Sequence, residues 1–403
     1  MAVIGAVAAL AALALAVARC DLAVGLGFVL LGIARVEPSP SDVLFAGAIA
    51  VTLVGGRLDL RRVPGPILAL LAMLLALSVL SAIDAVALGE ALRFLLITAY
   101  LVVFAVWLAM WVDTPARMRL VTRSYVLGAA ACAAAAVAAL LAAWPGHEAL
   151  VRDGVRAEGL FKDPNVFGPF LVPAALILLE EALRPRLLGI RRGATTVLFF
   201  VLALGVALSY SRAAWLNATV ALAVMLLVLA LRRGNARRAT AAVAVVLAGV
   251  ALAGTVIVVS GSTDLVRERA RAQPYDAERF EAQREGVLLA ERHPLGIGPG
   301  QVEAEGAVSS HSIYVRVLAE QGVPGLLALV GLLGGTLLLA VANALAGRHA
   351  MGVGSAALLA AWCGLLANSA FVDTLHWRHL WLVAALVWIA AAGGGGRRPS
   401  STT

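Results

Sequence analysis

The chain has 403 residues, 62% of them hydrophobic and only 14% charged, with a formal net charge of +8. Soluble domains are roughly 25% charged, so this composition excludes a soluble globular protein and implies a membrane protein with many spans. The positive charge is almost wholly arginine, Lys162 being the lone lysine. Nothing in its distribution calls for a nucleic-acid partner.

Apolar stretches of spanning length run at 42–56, 65–83, 91–112, 124–143, 165–182, 194–209, 213–231, 239–259, 323–346, 351–370 and 378–393. Ahead of them, 2–18 and 22–35 are also apolar but are separated by Arg19 and Asp21, so they form either one crossing or two. The expectation is an all-α bundle of 12–13 transmembrane helices. Arginines cluster in every second connection: Arg57, Arg61 and Arg62; Arg117, Arg119 and Arg123; Arg184, Arg186, Arg191 and Arg192; Arg232, Arg233, Arg237 and Arg238; Arg348; Arg397 and Arg398. Positive residues are retained on the cytoplasmic side, so the connections 84–90, 144–164, 209–212, 260–310 and 371–377 are expected outside. The chain divides into a helical bundle over 1–259, a large outward loop over 260–310, C-terminal spans over 311–393 and a disordered cytoplasmic tail over 394–403.

Chemistry that needs water belongs to the outward connections. The segment 151–171, "VRDGVRAEGLFKDPNVFGPFL", sets Arg156, Lys162, Asp163 and Asn165 at the mouth of a span. Asp163 or Asn165 beside Pro164 also suits a helix start. In "LGVALSYSRAAWL", Arg212 has apolar sequence on both sides. An arginine near membrane depth costs about 2.5–3.5 kcal/mol on insertion scales, a cost that an anion or lipid headgroups would offset.

The loop 260–310 holds six arginines and nine acidic residues and is the one sizeable aqueous segment. Its run "DAERFEAQREGVLLAERHP" suggests a helix capped by Asp276 and stopped at Pro294. By helical spacing Phe280, Arg284, Val287, Leu288 and Glu291 share one face, with Arg279 about 100° to one side of Phe280. "GIGPG" at 296–300 is expected to be a turn, since it lacks the Lys-Ser/Thr of a phosphate loop. "HSIYVRVLAEQGVPG" then puts His311 in the first turn of a helix where water gives way to bilayer. A neutral imidazole there suits a general base; it equally suits a cap or a hydrogen bond to Glu320. His376 and His379, with Trp377 and Trp381, are expected to anchor at the interface. The cysteines Cys20, Cys132 and Cys363 have neither disulfide nor metal-ligand spacing, and no DxD or HExxH occurs, so no metal or cofactor is called for.

"RAEGLFKDPNVFG", "SYSRAAWL", "ERHPLGIGPG" and "HSIYVRVLAEQGVPGLL", in this order over about residues 150–330, resemble the O-antigen ligase and polysaccharide polymerase superfamily. The resemblance implies a metal-independent membrane glycosyltransferase at the outer face of the bacterial inner membrane. It would move a glycan from an undecaprenyl-pyrophosphate carrier to a hydroxyl of a glycan or lipid-linked saccharide. It makes His311 the catalytic residue and gives Arg156, Arg212 and Arg279 to the substrate, with Lys162, Asp163 and Asn165 beside them. The family's tryptophan four residues after Arg279 is Gln283 here. Helical spacing points to Arg284 and the resemblance to Arg279, so both stand. A transporter or flippase for an anionic lipid-linked saccharide would also use outward arginines, but it predicts charges deep within several spans.

Overall fold

The computed structural model describes residues 2–56, 58–142, 144–232, 236–271, 273–304 and 311–392. Arg57, Arg233, Arg397, Arg398 and the expected tail 394–403 lie outside them. The described residues form α1 (Ala2–Val29), α2 (Pro40–Val54), α3 (Gly65–Ser81), α4 (Leu88–Trp111), α5 (Pro115–Leu141), α6 (Pro164–Leu183), α7 (Arg192–Leu208), α8 (Arg212–Leu231) and α9 (Ala236–Val259). Then come the short α10 (Thr263–Ala270), α11 (Pro274–Arg292) and α12 (Gln301–Ala304), followed by α13 (Ile313–Leu345), α14 (Ser355–Ser369) and α15 (Arg378–Ala392). Two tiny antiparallel hairpins complete the structure: β1 (Val151–Arg152) with β2 (Arg156–Ala157), and β3 (His349–Ala350) with β4 (Val353–Gly354).

Seven of these helices are long and apolar enough to cross a membrane, and five shorter apolar helices pack among them. The protein is thus a polytopic helical membrane protein. Apolar side chains left exposed on α9, such as Leu247, Val250 and Val258, make a surface that a bilayer covers and water does not. The core is continuous through the bundle and includes Trp107, Trp111, Trp362 and Trp388, all essentially without exposure. Cys20, Cys132 and Cys363 are free.

The first helix answers whether residues 2–35 make one leg or two. Gly27 lies against the ring of Phe45, and Ala12 lies against Gly47. Straight helix from Ala12 to Gly27 would span about 22 Å, far more than the two residues of α2 between those contacts allow. The chain therefore doubles back at Arg19, whose backbone leaves the helical region (φ −150°, ψ 70°). Asp21 beside the bend faces Arg117 at 3.6 Å.

The connections sort to two ends of the bundle. At one end Arg62 donates to the Val112 carbonyl (3.4 Å), Arg117 to the Trp111 carbonyl (3.0 Å) and Arg232 to the Ala344 carbonyl (2.8 Å). At the other end Arg35 pairs with Glu158, Lys162 with Glu37, Arg378 with Asp42, and Arg212 with Asp276. The two sets of connections distinguished by arginine content thus gather at opposite ends.

The long helix α13 begins ten residues before the apolar run 323–346 and breaks at Gly322 (φ 70°, ψ −172°), two residues before Pro324. Proline has no N–H to offer the carbonyl four residues back, here Glu320. The Gly298 N–H takes that role at 2.9 Å, Ile297 donates to the Ala319 carbonyl at 3.1 Å, and Val323 donates to the Pro294 carbonyl at 3.2 Å. "GIGPG" is thus more than a turn: Gly296, Gly298 and Gly300 all adopt positive φ, and the loop they form closes the ladder that the break opens.

Helix α11 packs on α13 by a face that spacing of large apolar residues did not indicate. Its buried positions are Ala282, Gly286 and Ala290, with Leu289 half-buried, and Gly286 meets Val315 and Ala319. Phe280, Arg284, Val287 and Leu288 are exposed instead. Small residues let two backbones approach, and that contact outweighs the larger side chains on the other face. The cap also differs: Gln273 is the N-cap, and Asp276, three residues on, accepts from its backbone N–H at 2.8 Å.

His376 and His379 are not interfacial anchors. His379, Trp377 and Trp381 are buried, and Trp381 donates to the Leu375 carbonyl at 2.7 Å. His376 faces the Thr98 hydroxyl at 3.0 Å, and burial pulls its pKa down to about 4, leaving it neutral.

Candidate active site

Three helix starts build the site. Asp163 is the N-cap of α6, accepting from the Asn165 N–H at 2.8 Å. Ser211 is the N-cap of α8, accepting from the Ala214 N–H at 3.2 Å and donating to the Asn165 side chain at 2.6 Å. These bonds tie the two N-termini together and aim the first residue of α8, Arg212, out of the end of the bundle. Positive helix ends and arginine side by side favour an anion.

Arg212 grips Asp276 at the start of α11 with both fork nitrogens, one at 2.9 Å, and donates to the Tyr275 hydroxyl at 3.2 Å. That grip holds the Asp276 carboxyl below the usual carboxylate range. The Tyr275 ring and hydroxyl gather further cations. Arg269 donates to the hydroxyl at 3.3 Å, and the Arg279 guanidinium lies 5.1 Å from the ring centroid. Arg156 is buried, donates to the Ser209 carbonyl at 3.1 Å and feels the charges of Arg269, Asp163 and Tyr275. Burial first, and Arg269 second, pull its pKa below the ordinary arginine value. Three guanidinium groups thus gather on one phenol and the charge of Arg156 acts beside them, with Asp276, Asp163 and Asp153 as the acids. The buried Nε of Arg269 has no acceptor among the described residues, which marks a place for one. Beside this cluster a cleft of about 260 Å³ is lined by Arg212, Leu216, Asp276, Arg279, Phe280 and Gln283, with Phe371 also on its wall.

His311 stands at the entrance to α13. It precedes the N-cap Ser312, so it lies just outside the first turn, and its φ of 48° is left-handed. Such a conformation costs a non-glycine residue about 1–2 kcal/mol and is concentrated at functional positions. Among the described residues, the charges acting on it are those of Arg279, Asp163, Arg316 and Asp373. Burial, then Arg279, pulls its pKa below the ordinary histidine value, so the ring is neutral at pH 7. Glu320, a potential partner for His311 by sequence, is committed elsewhere: it faces Arg316 at 3.7 Å, as does Asp373 at 2.9 Å, while Glu303 also pairs with that arginine.

Arg156, Arg212, Arg279, Asp163, Asn165 and His311 therefore converge, and two expected residues do not. Lys162 pairs with Glu37 on the far side of the 144–164 connection. Arg284 is 72% exposed, and among the described residues its one ion-pair partner is Glu281, at 3.8 Å. Of the two candidate arginines on α11, Arg279 is the one that lines the cleft. Arg269, Tyr275 and Arg316 were missed by sequence reasoning. Nothing in "VRERARAQPYD" distinguishes Arg269 from Arg267 and Arg271, whereas Arg316 and Glu320 carry the spacing of an ion pair on one helix face. Among the described residues no group of three or more His, Cys, Asp or Glu has the arrangement of a metal site.

Comparison with curated proteins finds no match. Residues 197–330, which run from within α7 to the middle of α13 and include Arg212, Arg269, Tyr275, Asp276, Arg279 and His311, match the family profile of O-antigen ligase. This polytopic membrane protein carries an O-antigen ligase family domain.

Proposed function

We propose that the protein transfers a glycan from an undecaprenyl-pyrophosphate carrier to a hydroxyl acceptor at the outer face of the inner membrane. The family is one of ligase- and polymerase-type enzymes with lipid-linked glycan substrates. The observation that carries the reading is the set of three arginines gathered on Tyr275 with Arg156 acting beside them, together with a neutral histidine on which the charge of Arg279 acts. Arg156 is buried and the other three are half-buried, and like charges gathered at such a partly dehydrated site are stabilised by an anionic ligand.

In this reading the carrier's diphosphate enters at the arginine cleft. Arginine forks match phosphate oxygens two at a time, and Asp276 in the Arg212 fork marks the geometry that a phosphate would share or take over. The acceptor oxygen attacks the anomeric carbon. The bond from that carbon to the phosphate oxygen breaks, its electron pair stays on the diphosphate, and His311 takes the hydroxyl proton. Charge grows on the leaving diphosphate where the guanidinium groups already point, so they stabilise the transition state more than the ground state. Arg316, held by Glu303, Glu320 and Asp373, positions the half-helix that follows His311. A transporter would need charges along a path through the spans. Arg316 and Glu320 instead lie before the Gly322 break, locked to each other and to loop carboxylates.

The test is purified protein in nanodiscs with an undecaprenyl-pyrophosphoryl glycan, assayed for glycan transfer and release of the free carrier. Transfer that persists in excess chelator is expected, because arginines neutralise the diphosphate. No transfer, or transfer that stops in chelator and returns with Mg²⁺, would overturn the reading.

A further inference from the structure

Helix α11 turns its large apolar side chains away from the protein. Ala282, Gly286 and Ala290 are buried, with Gly286 against α13, while Phe280, Val287 and Leu288 are exposed. By the helical period Val287, Phe280, Arg284 and Leu288 fall within about 100° of one another, and Glu281, Glu285 and Glu278 fill the next ~60°. The three acids are exposed as well. The outer surface of the helix is thus divided lengthwise into an apolar stripe carrying one arginine and an acidic stripe beside it.

The anchoring of its two ends fixes the direction in which α11 runs. At its start Asp276 is gripped by Arg212, the first residue of the membrane-crossing helix α8. Just past its end the Pro294 carbonyl accepts from the Val323 N–H at 3.2 Å, where the apolar run of α13 begins. Both anchors stand where spans emerge at the His311 end of the bundle. A helix of 19 residues, about 28 Å long, held at that boundary by both ends lies along it rather than upright.

The apolar stripe is continuous with lipid-covered surface. Phe280 shares the cleft wall with Leu216 and Phe371, and Leu216 is one turn deeper along α8 than Arg212. At the other end the stripe runs on through exposed Leu295 to exposed Val323 and Leu327, on a helix long and apolar enough to cross the membrane. A bilayer that covers both ends of the stripe also covers what lies between. Arg284 suits this place, because an arginine stem lies along apolar surface while its guanidinium reaches the headgroups.

We propose that α11 is a membrane-surface helix: Val287 and Leu288 enter the hydrocarbon of the leaflet at the His311 end, and Arg284 binds the phosphates of its lipid headgroups. A helix with such a division of faces settles about 5–10 Å into the headgroup boundary. Arg279, on the flank of the same helix turned to Tyr275, is then held at the depth of lipid phosphates. In the glycosyl-transfer reading this sets the arginine cleft level with the carrier's diphosphate. That consequence rests on the reading; the docking of α11 does not.

The experiment uses the full chain in nanodiscs of phosphatidylglycerol and phosphatidylethanolamine, with two photoreactive diazirines. One is carried on a lipid acyl chain near the headgroup and the other is small and water-soluble; mass spectrometry reads which residues are modified. Exposed Leu247 of the membrane-crossing helix α9 calibrates the lipid reagent, and exposed Asp264 the aqueous one. The lipid reagent is expected to modify Val287 and Leu288 at least half as much as Leu247. The aqueous reagent is expected to modify Glu278, Glu281 and Glu285 and to spare that pair. Aqueous modification of Val287 and Leu288 equal to that of the three glutamates would overturn the inference. Protection of the pair from both reagents would also overturn it, and would show a second copy or another protein on the stripe. Leu288→Asp is expected to lower lipid labelling of Val287 severalfold with Leu247 unchanged, and a variant that leaves Val287 labelled as before counts against the docking. None of these readouts uses turnover, so absence of glycan transfer strikes the glycosyl-transfer reading alone.

Discussion

Replacing Arg212 with lysine separates a phosphate fork from a mere interfacial charge. Arg212 makes two bonds to Asp276 and one to the Tyr275 hydroxyl. A lysine keeps the charge but is a single point donor on a flexible stem, so at least one charge-assisted bond to a ligand in that fork is lost. Such bonds contribute about 1.5–3 kcal/mol. With Arg212 33% exposed, the lower half of that range applies, so donor affinity is expected to fall roughly tenfold, with about fortyfold as the ceiling. Single-turnover transfer should fall at least as far, since charge on the diphosphate increases in the transition state. The control is Arg284→Lys, at an exposed position whose one ion-pair partner among the described residues is Glu281, expected to be silent. The assay is donor binding and single-turnover transfer for both variants in the same nanodiscs. Two variants that behave alike, whether both silent or both impaired, would refute the assignment of the Arg212 fork to the diphosphate.

His311→Ala should lower turnover about 10²–10⁴-fold, the usual loss of a general base, while donor affinity stays within twofold (~0.4 kcal/mol) of wild type. Because burial and Arg279 depress the His311 pKa, the wild-type rate should rise with pH along a limb centred below the ordinary histidine value near 6.5; a limb centred above it contradicts the environment described. For topology, Asp264→Cys, at an 89% exposed position, should be labelled from outside intact spheroplasts, and Arg61→Cys, at an exposed position of the opposite end, only after permeabilisation. Reversed labelling would put His311 on the wrong side for a carrier-linked glycan. Gly322→Ala places a side chain at φ 70° against the Pro294 carbonyl. It should cost at least ~1–2 kcal/mol, lower the Tm in detergent and reduce turnover, and an unchanged Tm would show that the break in α13 tolerates a side chain.

Hydrocarbon content and arginine spacing determined by themselves that this is a membrane bundle and which connections share an end. Those features are legible because a bilayer imposes one long apolar period on every span and leaves charges only between spans. The same linear record put Arg156, Arg212, Arg279, Asp163, Asn165 and His311 near one another through four short motifs. Side-chain direction was decided elsewhere. Only packing turned Ala282 and Gly286 of α11 inward and left Arg284 outside, because close backbone contact with α13 outweighs burial of Phe280. Only the fold drew Arg269 and Tyr275 into the cluster, carried Lys162 off to Glu37, and doubled α1 back at Arg19. Periodicity records which residues avoid water, but not which of two apolar surroundings, protein or lipid, each one meets.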